Sequence, residues 1–340
     1  MCSEGIPQEA HVGVRRWAAS PGVLWILGLV AASLALTAFT VYDQVFNRTG
    51  LAFLWDEQLR FHRWIIEGTS TSPWQYRVLT AYLIEAVVRA ATSLGVDPPY
   101  VRVFVGVRLV ENFIIFIAAA AYWKQLGIRP RWVFIALAVL AWGMTYAGWG
   151  SSLAFDTYLD LFFYLAAGFV ILRRKVLWIL PITALAALNR ETSALIPLML
   201  LAAHVRAPAG DPMNRRSMLV AGISLGLFLI EFVGLRAALG SRPPMVAYGH
   251  HVGMDMFLFN LTNPWTYWSI FATTGFIPII ALARYKAWPP VLRRFFWLLI
   301  PAWVVIHLFL ATIAEARLFL VPYSLVILPA AFARTSDIDP

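Results

Sequence analysis

Long apolar stretches recur along the chain, separated by short polar and basic segments. A run of about 20 apolar residues crosses a hydrocarbon core of roughly 30 Å. Ten segments fit that pattern wholly or nearly: 22–43, 102–123, 131–149, 157–173, 176–189, 193–205, 218–239, 266–283, 294–313 and 317–333. The pattern predicts an all-α, polytopic transmembrane helical bundle of about ten spans. Residues 1–340 read as a single membrane domain with no separate soluble domain.

Two regions depart from simple crossing. Pro73–Leu94 is long enough, at about 33 Å of helix. Ser72 with Gln75 reads as a capping box, Pro73 as the first helical residue and Gly95 as the stop. The segment also carries Arg77, Glu85 and Arg89, which are costly in lipid. It is therefore expected to lie along the outer interface. Residues 44–101 then form one long first extracytoplasmic segment with amphipathic helices. In the second region, Lys175 to Arg206 holds two crossings and a turn. Each arm has about 15 residues, roughly 23 Å, so the turn Asn189–Thr192 is expected to sit recessed below the outer surface.

Composition narrows the class. The chain is 60% hydrophobic and 13% charged, with mean hydropathy +0.71. Soluble domains run at about 45–50% apolar and about 25% charged. A water-soluble enzyme, a disordered chain and a disulfide scaffold are excluded. The 15 Trp, 23 Phe and 12 Tyr suit interfacial belts and a packed bundle. The net charge of +9 does not point to nucleic acid. Basic residues fall in the connections: Arg15 and Arg16, Lys124 to Arg131, Arg173 to Lys175, Arg206 to Arg216, Arg284 to Arg294, and Arg334. These connections are expected on the cytoplasmic side. Both termini are then cytoplasmic, and a bacterial inner (plasma) membrane is the expected location. The one cysteine, Cys2, excludes internal disulfides and a Cys-based metal site. Val23–Tyr42 is long for a signal peptide and reads as a first anchor.

The acidic residues sort by side. Glu4, Glu9, Asp211, Asp337 and Asp339 are expected in the cytoplasm and Glu231 within a span; the remainder lie at or near the outer face. Acid–base chemistry is therefore expected outside. Trp55-Asp56-Glu57 opens an amphipathic stretch, and Asp56 is either a helix N-cap or a carboxylate held at the membrane surface as a general base. Arg77 is either a snorkelling arginine or a guanidinium gripping a phosphate. Asp156 and Asp160 share a helix face, which suits either a favoured first turn or a cation-answered pair. Arg190 and Glu191, at the recessed turn, either satisfy each other or face a wet cavity. Glu315 and Arg317 are an anchoring pair or a further site contribution. His250 and His251 beside Asp255 make a poor zinc site, because adjacent histidines rarely bind one ion. Asn47-Arg48-Thr49 and Asn260-Leu261-Thr262 match a glycosylation sequon that is frequent by chance.

The ordered landmarks resemble the GT-C superfamily of integral-membrane glycosyltransferases. They are most similar to the branch with the protein O-mannosyltransferases and the lipid A aminoarabinose transferases. Leu54-Trp55-Asp56-Glu57 resembles that family's "DE" at the start of an outer juxtamembrane helix. Gly68 through Tyr76-Arg77-Val78 resembles its following basic stretch, without the usual proline. Asp156 or Asp160 matches the acidic residue that opens a later span. Ala184 to Thr192, ending at Pro197, resembles its hairpin, with Arg190-Glu191 in place of Lys-Gly. Arg317-Leu318-Phe319 through Pro322 and Pro329 resembles the late span start.

The resemblance implies transfer of a sugar from a polyprenyl-phosphate donor to a glycan, lipid or protein acceptor on the extracytoplasmic side. Reaction is by inversion, with Asp56 as general base. Glu57, Arg77, Asp156, Asp160, Arg190, Glu191, Glu315 and Arg317 would bind substrate. No metal is required; a divalent ion, Mg or Mn, would use Asp56 with Asp156 or Asp160. Membrane lipids are the other expected partners. The competing readings are a transporter or flippase of a lipid-linked or anionic substrate, and a non-catalytic or polymerase protein of cell-envelope glycan assembly. The transporter reading expects charges near the midplane and two related halves.

Overall fold

The structure is a computed structural model that describes residues 21–97, 99–148, 152–204 and 212–333. Cys2, Glu4, Glu9, Arg15, Arg16, Arg206, Asp211, Arg334, Asp337 and Asp339 lie outside the described residues. The chain begins with α1 (Pro21–Tyr42), which continues into a π-helical turn, Asp43–Thr49. After Gly50, α2 (Leu51–Phe53), a second π turn (Leu54–Gln58) and α3 (Leu59–Ile66) follow without a break. A 3-10 turn, Trp74–Tyr76, leads to α4 (Val78–Ser93). Next come α5 (Pro99–Gln125), α6 (Pro130–Tyr146) and α7 (Phe155–Leu172). The hairpin α8 (Ile179–Ala187) and α9 (Leu195–His204) precedes the long α10 (Pro212–Leu239). Two short antiparallel strands, β1 (Val246–Ala247) and β2 (His250–His251), lead to α11 (Met254–Thr262). The chain continues through α12 (Pro264–Thr274), α13 (Ile277–Ala283), α14 (Pro290–Leu310), α15 (Leu320–Pro322) and α16 (Leu328–Phe332).

The all-helical expectation holds, and the chain is an integral membrane protein by the length and apolarity of its helices. The span count needs correction. Five helical stretches are long and apolar enough to cross: Gly22–Thr49, Pro99–Gln125, Phe155–Leu172, Asn214–Leu239 and Pro290–Leu310. The pair α12–α13, bent by 72°, makes a sixth if it counts as one. Val176–Ala187, Glu191–His204 and Ala316–Phe332 are apolar but short. About ten crossings is therefore too many. The reason is physical: a helix packed on all sides by protein is as apolar as one facing lipid. Leu320–Ala331 is buried at every position.

The start of α4 also departs from expectation. It begins at Val78, and its 16 residues span about 24 Å, short of a bilayer core. The capping box does not form. Ser72 instead exchanges backbone hydrogen bonds with another segment: its N–H donates to the Pro243 carbonyl at 2.9 Å, and Met245 N–H donates to its carbonyl at 2.9 Å. Gln75 turns back, accepting from Ser70 N–H at 3.0 Å and donating to the Ile65 carbonyl at 3.1 Å. Gly95 ends the helix as expected, in the left-handed region at φ +74°.

Inside the bundle, α7 lies against α5, while α1 covers α5 and α6. The long α10 runs beside both arms of the α8–α9 hairpin, and α14 packs on α9. Trp123, Trp288 and Trp303 are fully buried. Each indole N–H donates to a backbone carbonyl, of Ser324, Ala281 and Leu318 respectively, at 2.7–2.9 Å. The tightest approach is at Gly168 of α7. A Cβ there would stand 2.8 Å from Tyr122 Cε2 and 3.0 Å from Leu325 Cδ1. Tyr122 cannot swing away freely, because its hydroxyl donates to the Leu325 carbonyl at 3.0 Å. Gly168→Ala is expected to destabilise the folded protein by about 1–3 kcal/mol through overpacking. Unfolding of the purified protein in detergent checks this, and an unchanged midpoint would contradict the tight contact.

Candidate functional site

Three chain segments converge on one group of charges: the start of α4, the start of α7 and the turn between α8 and α9. Local geometry explains the convergence. Ala154 is left-handed (φ 47°, ψ 53°), which turns the chain into α7 and sets Asp156 in its first turn. Leu79 N–H donates to the Leu188 carbonyl at 3.0 Å, fastening α4 to the hairpin turn. The Asn189 side-chain amide donates to the Asp156 carbonyl at 2.7 Å, fastening the turn to α7.

Arg77, just before α4, donates to Asp156 Oδ2 at 2.8 Å and to Glu191 Oε2 at 3.2 and 3.3 Å. Burial alone would lower the Arg77 pKa; the charges of Glu191 and Asp156 outweigh it, so the net direction is up. Arg190 donates to Thr157 Oγ1 at 2.6 Å and stands 3.7 Å from Asp156 and 3.8 Å from Asp160. Thr192 donates to Asp160 Oδ2 at 3.0 Å, and Tyr164 donates to the Thr192 carbonyl at 2.5 Å. Arg236, near the end of α10, reaches Glu191 at 3.6 Å while stacking over Tyr76 and Phe232. Three guanidinium groups thus face three carboxylates. Arg190 is the least satisfied of the cations: its buried Nε has no hydrogen-bond partner among the described residues.

Arg77, Asp156, Asp160, Arg190 and Glu191, all expected at the site, are therefore brought together. Glu315 and Arg317 form a separate pair at 2.5 Å, and Arg317 also donates to the Ser152 carbonyl in the segment leading to α7. Asp56 and Glu57 are not part of the group. Glu57 pairs with Arg60 on the surface. Asp56 sits within a helical run, so it is not an N-cap, and among the described residues no side chain pairs with it. It lines an open surface groove with Arg60, Arg63 and Glu67. Asp56 and Asp156 therefore do not share a site, and the donor set considered for a divalent ion is not assembled. Among the described residues no cluster of three His, Cys, Asp or Glu side chains could hold a metal.

One cavity is lined by the group, and a second lies beside that cavity. A small one, about 40 Å³, is lined by Gln58, Phe61, His62, Trp74, Arg77 and Asp156, among others. An apolar groove of about 560 Å³ lies between α4 and α5, lined by Leu83, Val87, Val103 and Val107. Thr80 and Ile84 line both, so the groove and the small cavity are neighbours. Glu111 is a polar residue of the groove wall; it pairs at 3.3 Å with the fully buried Arg108, whose guanidinium lies 3.8 Å over the Tyr158 ring.

Sequence reasoning placed Asn189 and Thr192 in the recessed turn without giving them a role, and missed Arg236, Thr157 and the Arg108–Glu111 pair. The charged residues within α5 and α10 were the available signal, since charges in apolar helices need partners. No family model, curated protein or solved structure matches the chain.

Breaking one partner of a buried ion pair costs about 3–5 kcal/mol, because the other charge is left uncompensated. Arg77 and its partners are partly buried, so Arg77→Met is expected to destabilise the protein by up to that amount. Arg77→Met with Asp156→Leu should cost less than the two singles summed, by about 1–3 kcal/mol. A double-mutant cycle on unfolding in detergent reads this; strict additivity would remove the pair from the site.

Proposed function

We propose that the protein is a membrane glycosyltransferase that moves a sugar from a polyprenyl-phosphate donor to an acceptor on the extracytoplasmic side. The single observation that carries this reading is that the apolar α4–α5 groove shares Thr80 and Ile84 with the small cavity lined by Arg77 and Asp156. A hydrocarbon chain in the groove would set a phosphate head at the small cavity beside Arg77. Because the charges there are balanced, a phosphate enters by exchanging places with carboxylates around the guanidinium groups. Arg190, 3.7 Å from Asp156 and with its Nε lacking a partner among the described residues, is reached through that exchange. In the transfer, the acceptor oxygen attacks the anomeric carbon as the bond to the phosphate oxygen breaks. The leaving phosphate keeps the electron pair and is stabilised by the two arginines. The sidedness is supported by α7: Asp156 lies in its first turn and Arg173, followed by Arg174 and Lys175, at its other end, and basic ends favour the cytoplasm.

In a Cys2→Ser background, cysteines placed at Gly68 and at Asp97 should both label with a membrane-impermeant maleimide added from outside. Labelling from opposite sides would overturn the orientation.

A hydrogen bond to a charged group is worth about 1.5–3 kcal/mol. Arg190→Gln should therefore weaken binding of polyprenyl phosphate by about 10–150-fold, and Arg190→Lys should retain part of it. Wild-type protein in nanodiscs should consume a member of a panel of polyprenyl-phosphate glucose, mannose, galactose and aminoarabinose. Unchanged binding by Arg190→Gln would leave Arg190 as a structural partner of Asp156 and Asp160. Movement of polyprenyl phosphate between leaflets without transfer would favour the flippase.

A further inference from the structure

Asp56 and the small cavity lie on different faces of the α2–α3 run. The residues of this run that do line the cavity include Gln58, Phe61, His62 and Ile65. Of these only His62 can accept a proton near neutral pH. His62 is 4% exposed, and its ring sits edge-on to Tyr100 and Phe104. Its Nε2 lies 3.2 Å from Glu85 Oε2 on α4. Glu85 is itself held by Arg89 Nε at 3.0 Å and by the Tyr100 hydroxyl at 3.3 Å. With Nε2–H donating to a fixed carboxylate, the lone pair resides on Nδ1, and Nδ1 has no hydrogen bond among the described residues.

The same cavity is bounded by Arg77 and Asp156. A water needs about 10–15 Å³ of such space, so about 40 Å³ admits a hydroxyl-bearing group or a few waters. A small, largely apolar cavity with a few polar groups thus holds both an oriented imidazole and the arginine assigned to the phosphate.

We infer that His62, oriented by Glu85, is the general base that deprotonates the acceptor hydroxyl in this cavity, in place of Asp56. The inference rests on the transferase reading above. The acceptor O–H proton passes to His62 Nδ1 as the acceptor oxygen bonds the anomeric carbon. The bond from that carbon to the phosphate oxygen breaks, and the lipid phosphate departs with the electron pair. The resulting imidazolium is paired with Glu85 until it releases its proton to water. Glu85 acts through His62 and is a positioning residue.

The charge environment is compatible with this role. Burial holds His62 below the usual histidine range, with Arg63 acting the same way and Glu85 pulling partly upward. Arg89 and Tyr100 face it through Glu85, and Arg77 and Asp156 face it across the cavity. His62 is therefore neutral and able to accept a proton at pH 7. Activity should rise with pH through an acid limb below about 6.5, the ordinary histidine value.

The test uses full-length protein in nanodiscs, with whichever panel donor the wild type consumes. General-base catalysis is typically worth about 10²–10⁴-fold, so His62→Gln should lower kcat by at least about 10²-fold. Its unfolding midpoint and its affinity for polyprenyl phosphate should stay near wild type. Asp56→Asn should stay within about threefold of wild type, far from a base-sized loss. Glu85→Gln should move the acid limb to lower pH, which loss of packing alone would not do. Near-normal turnover by His62→Gln, or a hundredfold loss in Asp56→Asn, would overturn the assignment. If His62→Gln fails to fold, the Glu85→Gln pH profile decides, and an unmoved acid limb overturns it. A wild type that consumes no panel donor defeats the transferase reading and, with it, the base role. Residue-resolved diethylpyrocarbonate labelling then judges the place of His62 separately. Protection by polyprenyl phosphate keeps His62 at the binding site, and unprotected labelling removes it.

Discussion

Arg77 is the constraint around which the site is arranged. A guanidinium carries its charge at any accessible pH, so once the chain folds around it, carboxylates must come to it. Asp156 arrives from α7 and Glu191 from the hairpin turn, each within hydrogen-bond reach. This one side chain therefore couples α4, α7 and the α8–α9 turn. The Leu79–Leu188 backbone hydrogen bond and the bond from the Asn189 side-chain amide to the Asp156 carbonyl tie the same three pieces together. Buried ion pairs seldom add net stability over apolar packing, but they define which arrangement is allowed. Here they fix where a helix start, a second helix start and a turn must meet.

The balance of the group shapes what it can do. Three arginines against three carboxylates leave no standing surplus of positive charge, so an anion is bound by rearrangement rather than by simple attraction. Donors that already lack partners, such as Arg190 Nε, lower the cost of that rearrangement. The groove lined by Leu83, Val87 and Val103 is apolar, while the small cavity beside it carries the polar groups His62, Arg77 and Asp156. In the proposed transfer the first would take hydrocarbon and the second the hydroxyl.

Much of this was legible in the sequence where the relevant signal is local or rests on counting. The four-residue spacing of Asp156 and Asp160 marked a pair needing a cation, and the shortness of the arms around Arg190 marked a recessed charge; that the two belong to one site came only from the resemblance. What failed were inferences about partners far along the chain. Ser72 and Gln75 have the form of a capping box, yet Ser72 bonds the Pro243–Met245 segment instead. Asp56 drew attention by its residue type and its neighbour Glu57, while the direction its helix faces is set by packing that no local pattern records. His62 was overlooked because a single histidine in an amphipathic stretch has no signature until Glu85, 23 residues on, is placed beside it. Apolarity alone also cannot tell the core segment Leu320–Ala331 from a lipid-facing helix.

The shortness of the α8–α9 hairpin bears on how the protein is built. Neither arm is long enough to partition into lipid as an independent helix, and the turn between them carries Arg190 and Glu191. Insertion of this region is therefore a joint event of both arms. Its charge partners at Arg77 and Asp156 have already been synthesised when it emerges, whereas α10, which lies along both arms, follows it. Chain order thus supplies the neutralising groups first and the apolar cover second, so the hairpin can be assembled against finished protein and then sealed from the bilayer.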